Sequence, residues 1–217
     1  MPASGSARQT DLRSLFWKIH QSDGPTNDNL LDAVLGLERE RIESGLSLGK
    51  LLVTHGSHRV DVGDTPYSVI RDLYRALAVP AATPIADLGA GYGRIGFYGA
   101  ILWQQPVHGI EIVPERVNEA RRVQQKLGLR SLRFEVGDLL TCVWPKVSHY
   151  LLLNSVLPSL IPAVIERFRA IALKRKIVIA SVSTASEILR EQLWLEEYVP
   201  AVPSAEPPAS LRIFATR

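Results

Sequence analysis

The run Ile85-Ala-Asp-Leu-Gly-Ala-Gly-Tyr-Gly-Arg-Ile-Gly96 constrains this chain more than any other stretch. It reads as a short buried strand ending on an acid, then a glycine-rich turn that opens a helix. Glycine tolerates positive φ and lets backbone approach a ligand closely, so such a turn can wrap a nucleotide-like molecule. From Ile85 onward the pattern alternates. Strands are predicted at 85–88, 107–111, 132–136, 150–153 and 177–181, with helices at 91–103, 114–127, 158–173 and 185–193. Two closing segments, 194–199 and 211–216, are joined only by a Pro-rich loop and predict an antiparallel hairpin. Strands alternating with helices imply parallel pairing with both sheet faces covered. The expected fold class is α/β: a doubly wound, mostly parallel seven-strand sheet with a terminal antiparallel strand, preceded by an N-terminal helical extension.

The predicted organisation is a mobile tail (1–9), a helical extension or cap (10–63) and a ligand-binding domain (64–217). Leu12, Leu15, Phe16 and Ile19 follow Thr10-Asp11 at helical spacing, and Leu30, Leu31, Val34, Leu35, Leu37 and Ile42 form a second apolar face opposite Glu38 to Arg41. Thr65-Pro66 opens a third helix with Val69, Ile70, Leu73, Tyr74 and Leu77 inward, proline suiting the first helical positions. A packing layer or lid, a substrate selector and a dimer-forming cap all fit such helices.

Several function classes drop out on composition. The 217 residues, 46% apolar and 22% charged, suffice for a sizeable core, and a net charge of +3 is far from a basic stripe. Nucleic acid therefore ranks behind protein and small-molecule partners. Cys142 is the sole cysteine, and of five scattered histidines only His55 and His58 are close, without a third ligand, so no metal is expected. No apolar run approaches the roughly 20 residues of a membrane span, and Met1 to Arg8 has no signal-peptide core. A cytoplasmic protein without a membrane partner is expected.

In an open parallel sheet, ligands bind beyond the carboxyl ends of the strands. Those ends carry Asp87, Glu111, Asp138 and Asn154 on successive strands. Gly91-Tyr92-Gly93-Arg94-Ile95-Gly96 also satisfies the dinucleotide pattern, with Glu111 at a suitable distance for a ribose. Asp87 separates the two ligands: a carboxylate there suits an ammonium group and disfavours a diphosphate in a low-dielectric cleft. A nicotinamide-dependent oxidoreductase is the first rival, and a non-catalytic interaction protein that keeps the pocket is the second.

Asp87-Leu-Gly-Ala-Gly-Tyr-Gly resembles the first motif of the class I, seven-strand methyltransferases that use S-adenosylmethionine. Gly109-Ile110-Glu111-Ile112 resembles the second motif, Gly137-Asp138-Leu139 the third and Leu153-Asn154 the fourth. The resemblance covers about 64–217. It implies S-adenosylmethionine as cofactor, with Gly89, Ala90, Gly91 and Gly93 passing under its methionine part and Asp87 supporting its amino group. Glu111 would take both ribose hydroxyls, Ile112 an adenine face, and Asp138 with the Leu139 N–H the adenine edge. Asp64, Thr65, Tyr67 and Asn154 would line the cleft above the sulfur, with Asn154 and Tyr67 as the catalytic candidates; Tyr92 would wall the same space. Asp64-Thr-Pro-Tyr67 with Asn154 is similar, more weakly, to lysine methyltransferases of the telomeric-silencing-disruptor type, although Ser155-Val156-Leu157-Pro158 departs from their pattern. The acceptor expected on this reading is a protein side chain, lysine first, or a small molecule.

Overall fold

The computed structural model describes residues 4–46, 65–203 and 210–217; Asp64 and the His55/His58 pair lie outside them. Seven strands form one sheet: β1 (Ile85–Leu88), β2 (Val107–Glu111), β3 (Leu132–Val136), β4 (His149–Leu152), β5 (Val178–Ser181), β6 (Leu195–Pro203) and β7 (Ser210–Thr216). Their spatial order is β3-β2-β1-β4-β5-β7-β6. The first five run parallel, and β7 lies antiparallel between β5 and β6, as the predicted hairpin requires. The described helices are α1 (Ser4–Gln21), α2 (Asp28–Leu35), α3 (Arg39–Gly45), α4 (Tyr67–Leu77), α5 (Arg94–Trp103), α6 (Pro114–Leu127), α7 (Ile161–Ala172) and α8 (Ser183–Arg190). A short 3₁₀ turn, Pro158–Leu160, leads into α7.

Local chemistry sets these boundaries. Pro114 opens α6 and Gly128, at φ 65°, closes it in the left-handed conformation that glycine accepts without penalty. The same device splits the second apolar stretch of the extension: Gly36 at φ 85° ends α2, and α3 starts afresh at Arg39. The Asn27 side chain caps α2 by accepting from the Leu30 amide at 3.1 Å. At the N-terminus α1 begins at Ser4, inside the segment expected to be a tail. Once Leu12 and Phe16 are buried, each preceding residue adds one helical hydrogen bond without a new nucleation cost.

Each sheet face carries its own apolar core. One joins Trp144, Tyr150 and Phe168 to α7 and α8. The other joins Phe97, Tyr98 and Phe134 to Phe16 of α1, Leu31 and Leu35 of α2 and Tyr67 of α4. Phe16 is completely buried, with its ring 5.9 Å from Tyr67 and 5.6 Å from Tyr98. Truncating a ring so placed costs about 3–5 kcal/mol. The N-terminal helices thus share the core of the sheet.

An ion pair locks them to the glycine turn. Asp32 of α2 and Arg94, the first residue of α5, meet through two hydrogen bonds, Arg94 Nε to Asp32 Oδ1 at 2.9 Å and Nη2 to Oδ2. Their side chains are 7% and 8% exposed, and Arg39 and the Tyr67 hydroxyl also donate to Asp32, at 2.8 and 3.1 Å. A buried carboxylate with this many donors is well compensated.

Candidate functional site

β1 and β4 are hydrogen-bonded neighbours, yet β2 and β3 intervene in the chain on the other side of β1. Connections therefore leave β1 and β4 in opposite directions, which opens a crevice at their carboxyl ends. Asp87, Glu111, Asp138 and Asn154 stand at or just beyond the ends of β1, β2, β3 and β4.

The turn after β1 is held by backbone. The Gly89 and Ala90 amides both donate to the Ile110 carbonyl, at 2.8 and 2.9 Å, and the Gly93 amide donates to the Ala90 carbonyl at 2.8 Å. Gly89, Gly91 and Gly93 all have positive φ, 86°, 53° and 81°. The three are glycine for different reasons. A Cβ on Gly89 would lie 2.0 Å from Ser155 Cβ, and one on Gly93 would lie 2.5 Å from Phe134 Cζ. A Cβ on Gly91 would meet nothing within 4 Å among the described residues, so its absence keeps space beside the loop.

The carboxylates differ sharply in their surroundings. Asp87 is 1% exposed and its Oδ2 is buried without a hydrogen-bond partner. Burial, and secondarily the Glu111 charge, push its carboxyl up to about 7. Glu111 is also buried, but both its oxygens are engaged: Oε2 accepts from the Gly91 amide at 2.9 Å and Oε1 from the Val113 amide at 3.0 Å. Since a carboxylate offers about four acceptor sites, Glu111 keeps capacity for two further donors. The half-buried Asp138 accepts from the Leu140 amide at 2.8 Å and shapes its own turn. Ile112 and Leu139 are half-buried on the same rim, and the Leu139 carbonyl accepts from Trp144 Nε1 at 3.0 Å.

Two tyrosines expected near the acceptor have their hydroxyls engaged by carboxylates. Tyr67 is 0% exposed, its hydroxyl donates to Asp32 at 3.1 Å and Arg94 lies 5.2 Å over its ring. Burial and the Asp32 charge raise its hydroxyl pKa well above the ordinary tyrosine value. Its position on the apolar stripe of α4 made it a core ring, so it is a packing residue here. The Tyr92 hydroxyl is likewise engaged by a carboxylate, donating to Glu43 of α3 at 2.6 Å. Thr65 is buried at the mouth of α4, with its carbonyl 3.5 Å from Arg94 Nη1. Asn154 is exposed and left-handed, φ 51°, at the end of β4. Cys142 is half-buried, and burial raises its thiol pKa, which suits packing better than nucleophilic work.

The structure adds residues that periodicity did not reveal. Glu43 accepts from Arg116 Nε at 2.9 Å as well as from Tyr92, and Arg116 Nη1 stands 3.9 Å from Glu111 Oε1. Ser155 Oγ, packed on Gly89, is buried and without a partner. Among the described residues no cluster of three or more His, Cys, Asp or Glu is placed to hold a metal ion, and no helix is long and apolar enough to cross a membrane.

No protein-family model matches the chain, and no curated protein sequence matches it. Solved structures do. An RNA methyltransferase from Salinibacter ruber in complex with S-adenosyl-L-homocysteine is 21% identical, with 70% of this chain and 93% of that one covered and a TM-score of 0.55. TrmN from Thermus thermophilus is 16% identical over 72% of this chain and 50% of its own, TM-score 0.57. A precorrin-6y C5,15-methyltransferase from Geobacter metallireducens is 18% identical over 73% and 92%, TM-score 0.51. At these identities the likeness establishes the fold.

Proposed function

We propose that the protein is a methyltransferase that uses S-adenosylmethionine. The observation that carries this reading is Asp87 Oδ2: a buried carboxylate oxygen with no partner, at the crevice end of β1 beside a left-handed glycine turn. A buried carboxylate of this kind calls for a cationic donor. The amino group of the cofactor supplies one, whereas a pyrophosphate would add negative charge beside two acids, so the nicotinamide alternative is not favoured. The spare acceptor capacity of Glu111 suits a ribose, and the open space beside Gly91 leaves room for the ligand backbone. Methyltransferases among the solved structures of this fold, one of them with S-adenosyl-L-homocysteine bound, support the same reading.

When bound, the cofactor supplies an already activated methyl group on sulfur. The chain's own work is to hold that group in line with an acceptor and to exclude water. Asp87 and the glycine turn hold the methionine end, Glu111 and Ile112 the ribose and one adenine face, and Asp138 with the Leu139 amide the adenine edge. Asn154, exposed at the end of β4, is the acceptor-side group. With Tyr67 committed to the core, the lysine channel loses the aromatic expected of it. The acceptor class is therefore read as a small molecule, an RNA or a protein side chain approaching past Asn154. Titration with S-adenosylhomocysteine tests the cofactor: micromolar binding is expected, and none at high micromolar concentration would sink the reading. Transfer of labelled methyl from the cofactor into a fractionated lysate then identifies the acceptor class.

A further inference from the structure

Five groups from four elements form a closed ring around the end of β2. Glu43 of α3 accepts from Arg116 of α6 through Nε at 2.9 Å and Nη2 at 3.2 Å. Arg116 Nη1 reaches toward Glu111 at 3.9 Å, Glu111 accepts from the Gly91 amide at 2.9 Å, and the next residue, Tyr92, donates back to Glu43 at 2.6 Å. Arg39, one turn earlier on α3, lies 5.6 Å over the Tyr92 ring. The N-terminal extension thus touches both the carboxylate placed for a ribose and the loop placed for the methionine end.

The geometry of Arg116 is the informative part. Its side chain is 4% exposed, so its charge needs a close anion. Among the described residues two carboxylates stand within reach, and Glu43 holds it more closely: two hydrogen bonds near 3 Å against one contact at 3.9 Å to Glu111. Burial pushes the Glu43 carboxyl up, but the hydrogen bonds from Arg116 and Tyr92 outweigh it and hold Glu43 below its ordinary value, ionised at neutral pH. Without Glu43, Arg116 would turn its fork onto Glu111 and occupy the acceptor sites that a ribose needs.

We propose that Glu43 is a positioning residue for the cofactor site: by holding Arg116 off Glu111 it keeps that carboxylate free for two ribose hydroxyls, which makes α3 a working part of the site. The inference rests on the S-adenosylmethionine reading. Its test is S-adenosylhomocysteine binding by calorimetry to the full chain, the Glu43→Gln variant and the Glu43→Gln/Arg116→Met double variant. Glu43→Gln should weaken binding about tenfold, the scale of a charge-assisted hydrogen bond. Removing Arg116 as well should restore part of that loss, and the ligand-dependent arm that follows separates this from simple relief of an unpaired buried charge. A second arm uses a 2′,3′-dideoxy analogue of the ligand, which should bind wild type and Glu43→Gln alike. Unchanged affinity in Glu43→Gln, an equal loss for the dideoxy analogue, or a double variant no better than the single one overturns the proposal. Wild-type protein that fails to bind the ligand at all overturns the cofactor reading itself.

Discussion

Asp87→Asn tests the central electrostatic claim with a nearly isosteric change. In the unliganded protein, burial and then Glu111 raise the Asp87 carboxyl from 3.8 to about 7. A group whose folded pKa lies above its unfolded one favours folding least where it is ionised in both states. The penalty is absent below about pH 4, grows between there and about pH 7, and is complete above it. At full size it is roughly 4 kcal/mol. An asparagine escapes that penalty but buries amide donors, returning about 1–3 kcal/mol. The net expectation is that unliganded Asp87→Asn is about 1–3 kcal/mol more stable than wild type at pH 8, with the advantage gone at pH 5. For a chain of this size that is a rise in Tm of roughly 2–10 °C. Ligand should reverse the order. S-adenosylhomocysteine should stabilise wild type and barely affect the variant, and wild-type affinity should climb between pH 5.5 and 7.5, where Asp87 must lose its proton to meet an ammonium. Thermal scans across pH with and without ligand read all of this. A variant less stable than wild type at pH 8, or affinity flat across that interval, would refute the reasoning.

Gly89→Ala and Gly91→Ala should separate packing from ligand space. The first drives a Cβ to 2.0 Å from Ser155 and should lower Tm strongly, whereas the second meets no atom within 4 Å, costs about 1–2 kcal/mol for its positive φ and should act mainly on S-adenosylhomocysteine affinity. Asp32→Ala leaves the Arg94 guanidinium buried without its main anion and should cost about 3–5 kcal/mol by chemical denaturation, while a variant as stable as wild type would show the pair to be peripheral. Burial first, then Arg75 and Arg71, hold the His20 pKa below 6.5, so protonation opposes folding, and its share of stability should fall as pH drops from about 6.5 through the lowered value. Trp17, 5.6 Å from the His20 ring, reports this by fluorescence, and His20→Gln should remove that pH-dependent change at Trp17.

Much of the fold was legible because turn chemistry punctuates the chain. Pro114 and Gly128 bracket α6, and β2 and β3 fall on the predicted residues, 107–111 and 132–136. Glycines at 89, 91 and 93 announced left-handed backbone, and the acids at the strand ends follow from topology once the alternation is seen. Burial direction was less accessible. Tyr67 and Tyr74 occupy the same apolar stripe of α4, and nothing in their spacing says that the Tyr67 hydroxyl finds Asp32, 35 positions away. The ring through Glu43, Arg116 and Glu111 was invisible for the same reason, since Glu43 and Arg116 are 73 positions apart and each reads as a charge on the wet side of a helix. Periodicity reports which face is apolar; it does not report which polar residues on other faces are brought together by tertiary packing.

The placement of α3 also bears on the direction from which an acceptor arrives. With Tyr92 and Arg116 tied to Glu43, the β2 side of the crevice is covered by the chain's own N-terminal extension. The β4 and β5 side differs. Four described non-glycine residues have positive φ, and two of them, Ala78 and Gln104, are left-handed caps at helix C-termini, where that conformation is routine. The other two, Asn154 and Ser183, follow the carboxyl ends of the adjacent strands β4 and β5 and cap no helix C-terminus. Backbone strain of about 1–3 kcal/mol per residue persists only where surrounding structure enforces it, and such sites gather at functional positions. On the methyltransferase reading, we infer that the cofactor would be held from the β2 side and that the acceptor would meet it from the β4–β5 side. An acceptor approaching from that side would meet Asn154, Ser183 and the segment after β4.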